Sequence, residues 1–306
     1  MSGSGDSRRA IFFALGANLA IALAKGAAAL ASGSGAMLAE TVHSLADCGN
    51  QLLLLLGMRQ AKRPANADYP LGYGRAIYFW SFLVAVMLFC IGGMFSVYEG
   101  VHKLLQPEPL SSWGWAVGVL GFALVAEGVS LRTCLQEIGK VRGGRSLWTW
   151  FRESRQAELI VIFGEDLAAL LGLALALAAV LLTVLTGNPL WDALGTIAIG
   201  ALLIVVAVLV AIEIKAMLIG QSVDPALQRQ LHAFFQAQPE IERVIHLIAM
   251  QLGEDVMVSV QATLRQKHDA AALLADITRI ERGLKQQFPT VRWSFFEPEP
   301  GAASGA

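Results

Sequence analysis

Glu40-Thr-Val-His-Ser-Leu-Ala-Asp-Cys-Gly-Asn-Gln51 is the stretch on which the reading of this chain turns. It lies inside an apolar segment, between Met37-Leu38 and Leu52-Leu-Leu-Leu-Leu56, long enough to cross a bilayer. A helix there puts His43 and Asp47 one turn apart on one face, with Glu40 and Asn50 on the same stripe. Ionisable groups at membrane depth are costly, and chains that keep them use them for ions or protons. An imidazole and a carboxylate at i, i+4 also make a sound ligand pair for a divalent transition metal. The competing reading is a polar stripe that only joins helices.

Working outward, the whole chain fits that setting. Its 306 residues are 55% hydrophobic and only 15% charged, with a mean hydropathy of +0.56, as in a polytopic membrane protein carrying a modest soluble part. A net charge of −1 gives no footprint for nucleic acid. Cys48, Cys90 and Cys134 imply no disulfide framework. The first apolar segment is too long for a cleavable signal, and a second follows almost at once.

Six segments of spanning length are expected, at roughly 10–31, 36–57, 77–98, 112–134, 158–186 and 190–218. Arg8 and Arg9 precede the first. Arg59, Lys62, Arg63 and Arg75 fill the second connection, and Lys140, Arg142, Arg145, Arg152 and Arg155 the fourth. The first and fifth connections have no Lys or Arg, and the third has Lys103 alone. That alternation predicts six helices with both termini cytoplasmic. Polar residues inside the spans are Asn18, Lys25, Glu127, Glu165 and Asp166, besides the opening stretch. At a rise of ~1.5 Å per residue, Asp166 lies about 12 Å inside the cytoplasmic end of its helix and His43 about 10 Å from the outer end of its own. His43, Asp47 and Asp166 could therefore converge near mid-membrane, with Glu127 at a depth like that of Asp166. Lys25 is level with Glu40, so it either pairs with it or snorkels to the interface.

After Gly220 the pattern changes. Asp224-Pro225 reads as an N-cap and first helical residue, opening a helix over 226–238. Alternating segments 241–250 and 256–264, split by Gly253-Glu-Asp255, predict a hairpin; 270–288 reads as an amphipathic helix and 291–296 as a last strand. The expected fold is an α-helical membrane protein, with six transmembrane helices followed by a small cytoplasmic α/β (αββαβ) domain. The expected divisions are a tail at 1–9, the membrane domain at 10–220, the cytoplasmic domain at 221–298 and a tail at 299–306.

These features together resemble the cation diffusion facilitators. The resemblance runs from about Ile11 to Glu297. Ser32-Gly-Ser-Gly-Ala-Met-Leu-Ala-Glu-Thr-Val-His-Ser-Leu-Ala-Asp47 and Tyr69-Pro-Leu-Gly-Tyr-Gly-Arg75 carry it, with Glu165-Asp166-Leu-Ala-Ala-Leu and Asn188-Pro-Leu-Trp-Asp-Ala-Leu-Gly195. It implies a homodimer in the lipid bilayer that exchanges a divalent metal for protons, with a metallochaperone-like cytoplasmic domain. A bacterial inner membrane is the expected host. Helices two and five of the family each supply two ligands four residues apart. The first pair maps onto His43 and Asp47, and the aspartate of the second onto Asp166. The remaining position is Ile162 here, which removes one ligand. Glu165 could supply the missing oxygen, though helix neighbours point about 100° apart; the other reading makes it a proton carrier or hydrogen-bonding group near Glu127. The Glu-Asp pair resembles the relatives of mitochondrial zinc transporters.

Two further sets depart from the family. The loop before helix three has Tyr69 and Tyr73 where relatives have His, leaving Asp68 alone. His232, His246 and His268, with Glu254, Asp255 and Asp269, are scattered over the last domain, and no ligands are assigned among them.

The implied activity is zinc/proton antiport that exports metal from the cytoplasm, with manganese, iron and cobalt still open. No enzyme activity and no bound cofactor are expected. The runner-up is a non-transporting scaffold or partner subunit of another metal transporter. An intramembrane protease is a weaker alternative, because no His-Glu-x-x-His run exists and Phe163-Gly-Glu-Asp166 only superficially echoes an aspartyl-protease motif.

Overall fold

The computed structural model describes residues 3–265 and 269–299, and side chains from residue 16 onward apart from that of Ala17. Helices α1 (Gly3–Ser32) and α2 (Gly35–Ala61) form an antiparallel pair across a break at Gly33-Ser34. The third apolar segment is α3 (Ala76–Met87), a π-helical stretch (Leu88–Met94) and α4 (Phe95–Leu105). It is followed by α5 (Trp113–Val141), a short α6 (Leu147–Glu153), α7 (Ala157–Thr186) and α8 (Leu190–Ile219).

Four helices among the described residues are long and apolar enough to cross a membrane: Ala76–Leu105, Trp113–Val141, Ala157–Thr186 and Leu190–Ile219. In α1, Asn18–Ser32 forms a shorter apolar helix among the residues with described side chains. In α2 the polar run Glu40, His43, Asp47, Asn50 and Gln51 dilutes the hydropathy that Leu52–Leu56 would otherwise set. Two expectations are adjusted. Lys103 sits inside α4 rather than in a loop, and the fourth connection contains a helix, α6, whose Trp150 and Phe151 are buried.

The contact of α8 with the π-helical stretch and the start of α4 is built around glycines. A Cβ added at Gly200 would lie 2.8 Å from the Gly93 carbonyl oxygen, so the two backbones approach as closely as glycine permits. The start of α2 is fastened to α8. Asp192 accepts hydrogen bonds from Ser34 Oγ at 2.5 Å and from the backbone N–H groups of Gly35 at 2.7 Å and Ala36 at 3.4 Å. Ser34 caps the helix through Met37 N. Those N–H groups have no partner within the helix, and the positive end of its dipole favours the carboxylate. Lys103 stands 3.9 Å from Asp192 and donates to the Gly33 carbonyl.

The C-terminal domain has the expected αββαβ order: α9 (Pro225–Gln236), β1 (Ile241–Leu252), β2 (Asp255–Leu264), α10 (Ala270–Gln287) and β3 (Val291–Glu299). Asp224 caps α9 through Ala226 N and Leu227 N, with Pro225 at the first position. β2 is central, antiparallel to β1 and parallel to β3. Val256, Val258 and Val260 alternate onto the helix side, where they meet Leu231, Phe235, Ile280 and Leu284. The opposite face leaves Ile248 56% and Phe295 54% exposed.

This domain is latched to the helices through its hairpin turn. Gly253 N donates to Tyr78 Oη at 3.0 Å; beside it, Arg155 Nε donates to the carbonyl of Ser222 in the linker at 2.7 Å, and Arg75 Nη2 to the carbonyl of Leu218 at the end of α8 at 2.5 Å. Burial pulls the Arg155 guanidinium below its ordinary pKa, while Asp224 and Glu213 oppose the shift.

Candidate metal site

Every polar residue of the α2 stripe faces inward. Glu40, His43 and Asn50 are fully buried, and the Asp47 side chain is 18% exposed. The helical period that put them on one stripe is thus matched to a protein-facing surface, as intramembrane ionisable groups require. Lys25 of α1 is fully buried as well. Its Nζ donates to Glu40 Oε2 at 3.2 Å and Ser44 Oγ at 2.7 Å, so of the two readings of Lys25 the structure has the pair. Glu40 extends across to α7, where a Cβ added at Gly172 would come within 2.5 Å of its Oε1.

One turn further on, His43 Nε2 lies 3.5 Å from Asp47 Oδ2. Among the described residues neither imidazole nitrogen has a hydrogen-bond partner, and neither does Asp47 Oδ1 or Asn50 Oδ1. Buried polar atoms are nearly always satisfied. Here several in succession on one helix face are not. The π-helical stretch lies beside them: a Cβ at Gly92 would sit 3.8 Å from His43 Nδ1. π-bulges recur at functional positions, where they reshape a helix surface locally.

Asp47 opens into a cavity of about 50 Å³ between four helices, enough for a few waters or one partly hydrated ion. Asn18 and Ile21 of α1 line it, with Ser44, Asp47 and Gln51 of α2. Glu127 and Ser130 of α5 and Glu165, Asp166 and Ala169 of α7 complete the wall. Asp47, Glu165 and Asp166 therefore share one cavity, while His43 stands behind Asp47 and does not line it. The two acidic residues of α7 point differently. Glu165, 8% exposed, faces α2 and accepts a 2.6 Å hydrogen bond from Asn50 Nδ2. Asp166 faces α5, with Ser130 Oγ 3.3 Å from both its oxygens. Ile162 is 37% exposed, on the outer side of α7. Among the described residues, no three His, Cys, Asp or Glu side chains are close enough together to hold a metal ion as they stand.

Ser130, Gln51 and Ser44 were not singled out from the sequence. Ser130 had one available signal, its place one turn after Glu127, but hydroxyls in apolar helices are too common to rank on that alone. Elsewhere, Asp68 is in an exposed loop in which the Tyr69 and Tyr73 rings lie tilted at 35° with centroids 4.4 Å apart and Asn66 Nδ2 donates to Tyr73 Oη. In the C-terminal domain Asp255 pairs with Arg292 and Asp269 caps α10 through Ala271 N. His232 and His246 are exposed, and His268 lies outside the described residues.

Comparison with known proteins shows the family. A family model described as the cation efflux transmembrane domain matches residues 11–219. The chain is 36% identical over 224 residues to the mitochondrial proton-coupled zinc antiporter SLC30A9 of Xenopus laevis, which is 72% of this chain and 40% of that protein. It is 33% identical over 220 residues to metal tolerance protein C4 of Arabidopsis thaliana, across 71% of this chain and 48% of the relative. It thus spans less than half the length of these two. Magnetosome protein MamB of Paramagnetospirillum magneticum is 26% identical over 308 residues, covering 97% of this chain and 96% of its own. None of these names describes an enzyme. With four membrane-length helices, an inward-facing stripe of ionisable residues and a family match over most of its length, this integral membrane protein belongs to the cation efflux family.

Proposed function

We propose that this chain is a divalent metal exporter that moves zinc out of the cytoplasm in exchange for protons. In this reading α1 and α2 span the membrane together with the four apolar helices, giving six spans with both termini cytoplasmic, and residues 221–298 form a cytoplasmic domain. The cargo meets His43, Asp47, Glu165 and Asp166 between α2 and α7. The observation that carries the proposal is the cavity shared by Asp47, Glu165 and Asp166, backed by a fully buried imidazole that makes no hydrogen bond among the described residues. Hydrogen-bonding capacity left unused at membrane depth is what a site for a removable ion needs. That the relatives include proton-coupled zinc antiporters supports the choice of cargo and coupling.

Coupling follows from the donors. Metal binding requires a neutral imidazole and ionised carboxylates, and protons compete for both. A falling pH displaces the metal by protonating the same groups. Binding is thus favoured on the less acidic side and release on the more acidic side. His43 comes into the set by a shift toward the cavity, since Asp47 now stands between them. The working unit is a homodimer, and the apolar outer face of the sheet around Ile248 and Phe295 supports a second copy packing there.

A second reading has one observation in its favour. Among the described residues no triad of ligands is preassembled, as a non-transporting partner subunit would show. Purified protein in liposomes with an imposed pH gradient separates the two, using zinc, manganese, iron and cobalt in turn. Transport predicts zinc flux that follows the gradient and vesicle-trapped pH dye responding only when metal is present. No flux of any of the four metals contradicts it and leaves the partner-subunit reading.

A further inference from the structure

Glu127 stands on the wall of the central cavity and makes no hydrogen bond or ion pair with another described residue. It lies one turn before Ser130, whose hydroxyl bridges both oxygens of Asp166 at 3.3 Å. Asp166 is thus turned toward α5, while Glu165 is held toward α2 by Asn50. Ile162, one turn before Asp166, brings no donor and is 37% exposed. On the side of the cavity that Asp166 faces, α5 thus presents a second carboxylate, Glu127.

We infer that Glu127 is a further ligand of the ion site, so that the site is built by three helices: α2 through Asp47, α5 through Glu127, and α7 through Glu165 and Asp166. This rests on reading the cavity as the place where the ion binds. Four carboxylates around about 50 Å³ repel one another when ionised, and either bound protons or a divalent cation remove that repulsion. Lys25 is the buried cation nearest the α2 stripe, and it is already engaged with Glu40 and Ser44. Asp47, on the wall of this cavity, has a buried Oδ1 with no hydrogen-bond partner among the described residues, and the fully buried His43 behind it accepts or donates none at either nitrogen. The donor set is therefore rich in carboxylate oxygen with one imidazole behind it. Carboxylates suit manganese, whereas imidazole suits zinc. Glu127 extends the range of cargo toward hard divalent cations, and removing it costs manganese more than zinc.

The test is isothermal titration of the purified full-length protein with zinc and with manganese. It compares the parent, Glu127→Gln, Asp47→Ala, and Glu137→Gln as a control at an exposed α5 residue paired with Lys140. Glu127→Gln is expected to weaken manganese binding about tenfold or more and zinc binding about threefold or less, and Glu137→Gln to change neither. If Glu127→Gln binds both metals like the parent while Asp47→Ala binds neither, the α5 ligand is wrong and the ion site stands. If Asp47→Ala also binds both like the parent, the ion site itself is wrong. Should Glu127→Gln not fold, Glu127→Asp keeps the charge at shorter reach. It is expected to weaken manganese more than zinc, and equal affinities to the parent would overturn the proposal.

Discussion

Two inward-facing carboxylates along the same helix, α2, one of them brought by α8, show how differently an acid can be used inside a membrane protein. Asp192 takes up Ser34 Oγ, two free N–H groups of the first turn of α2 and the nearby Lys103. Asp47, farther along α2, has an unpartnered oxygen, an imidazole at 3.5 Å and a cavity in front of it. The first has all its bonding capacity committed to holding the fold. The second has capacity in reserve, at a cost to stability that only a ligand offsets. A carboxylate's role is thus read from what its oxygens already hold, more than from its depth.

The comparison is most severely strained by the other committed group. Lys25→Met leaves Glu40 buried without its cation, and the expected loss is about 3–5 kcal/mol. It is checked by the thermal midpoint in detergent, and adding Glu40→Gln should recover part of it. Full stability in Lys25→Met would mean that the pair is not formed. Asp192→Ala comes next. Losing the cap and leaving the α2 N–H groups without a partner should cost about 1–3 kcal/mol, and Asp192→Asn, which still accepts one bond, should cost less.

Among the uncommitted groups the effects should appear in binding instead. Glu165→Gln keeps the size but removes the charge, and zinc affinity should fall about tenfold with little change in stability. Adding Ile162→His should restore only a small part, since Ile162 lies on the outer side of α7. Unchanged zinc affinity in Glu165→Gln would make Glu165 a hydrogen-bonding partner of Asn50 and nothing more. The smallest effect is expected at the sheet. Phe295→Glu should shift a detergent-solubilised dimer toward monomer without changing the melting of one subunit, read by cross-linking at matched concentration. A parent that is already monomeric would remove the basis of that expectation.

The α2 stripe was legible because its period is local. His43 and Asp47 share a face in any helix, and apolar flanks turn that face inward. The C-terminal order was legible for the same reason, since Asp224-Pro225 and the alternation through 256–264 are local signals. What escaped depended on how one helix is rotated against another. Nothing near Asn188–Gly195 indicates that Asp192 caps a helix more than 150 residues earlier. The neighbours Glu165 and Asp166 could not be divided between α2 and α5 without the rotation of α7, and Ser130 gained meaning only from facing Asp166. The π-helical stretch is likewise silent in the sequence, because Leu88–Met94 reads as one more apolar turn.

The central claim is that Asp47 is held in reserve for cargo, and zinc flux per folded molecule of Asp47→Ala tests it most directly. The parent and the variant are put into liposomes at matched incorporation, under the same pH gradient, with thermal midpoints measured alongside. The expected result is flux at the level of protein-free vesicles with a midpoint equal to the parent's or higher. Parental flux in Asp47→Ala, or a variant that no longer folds, would contradict the account.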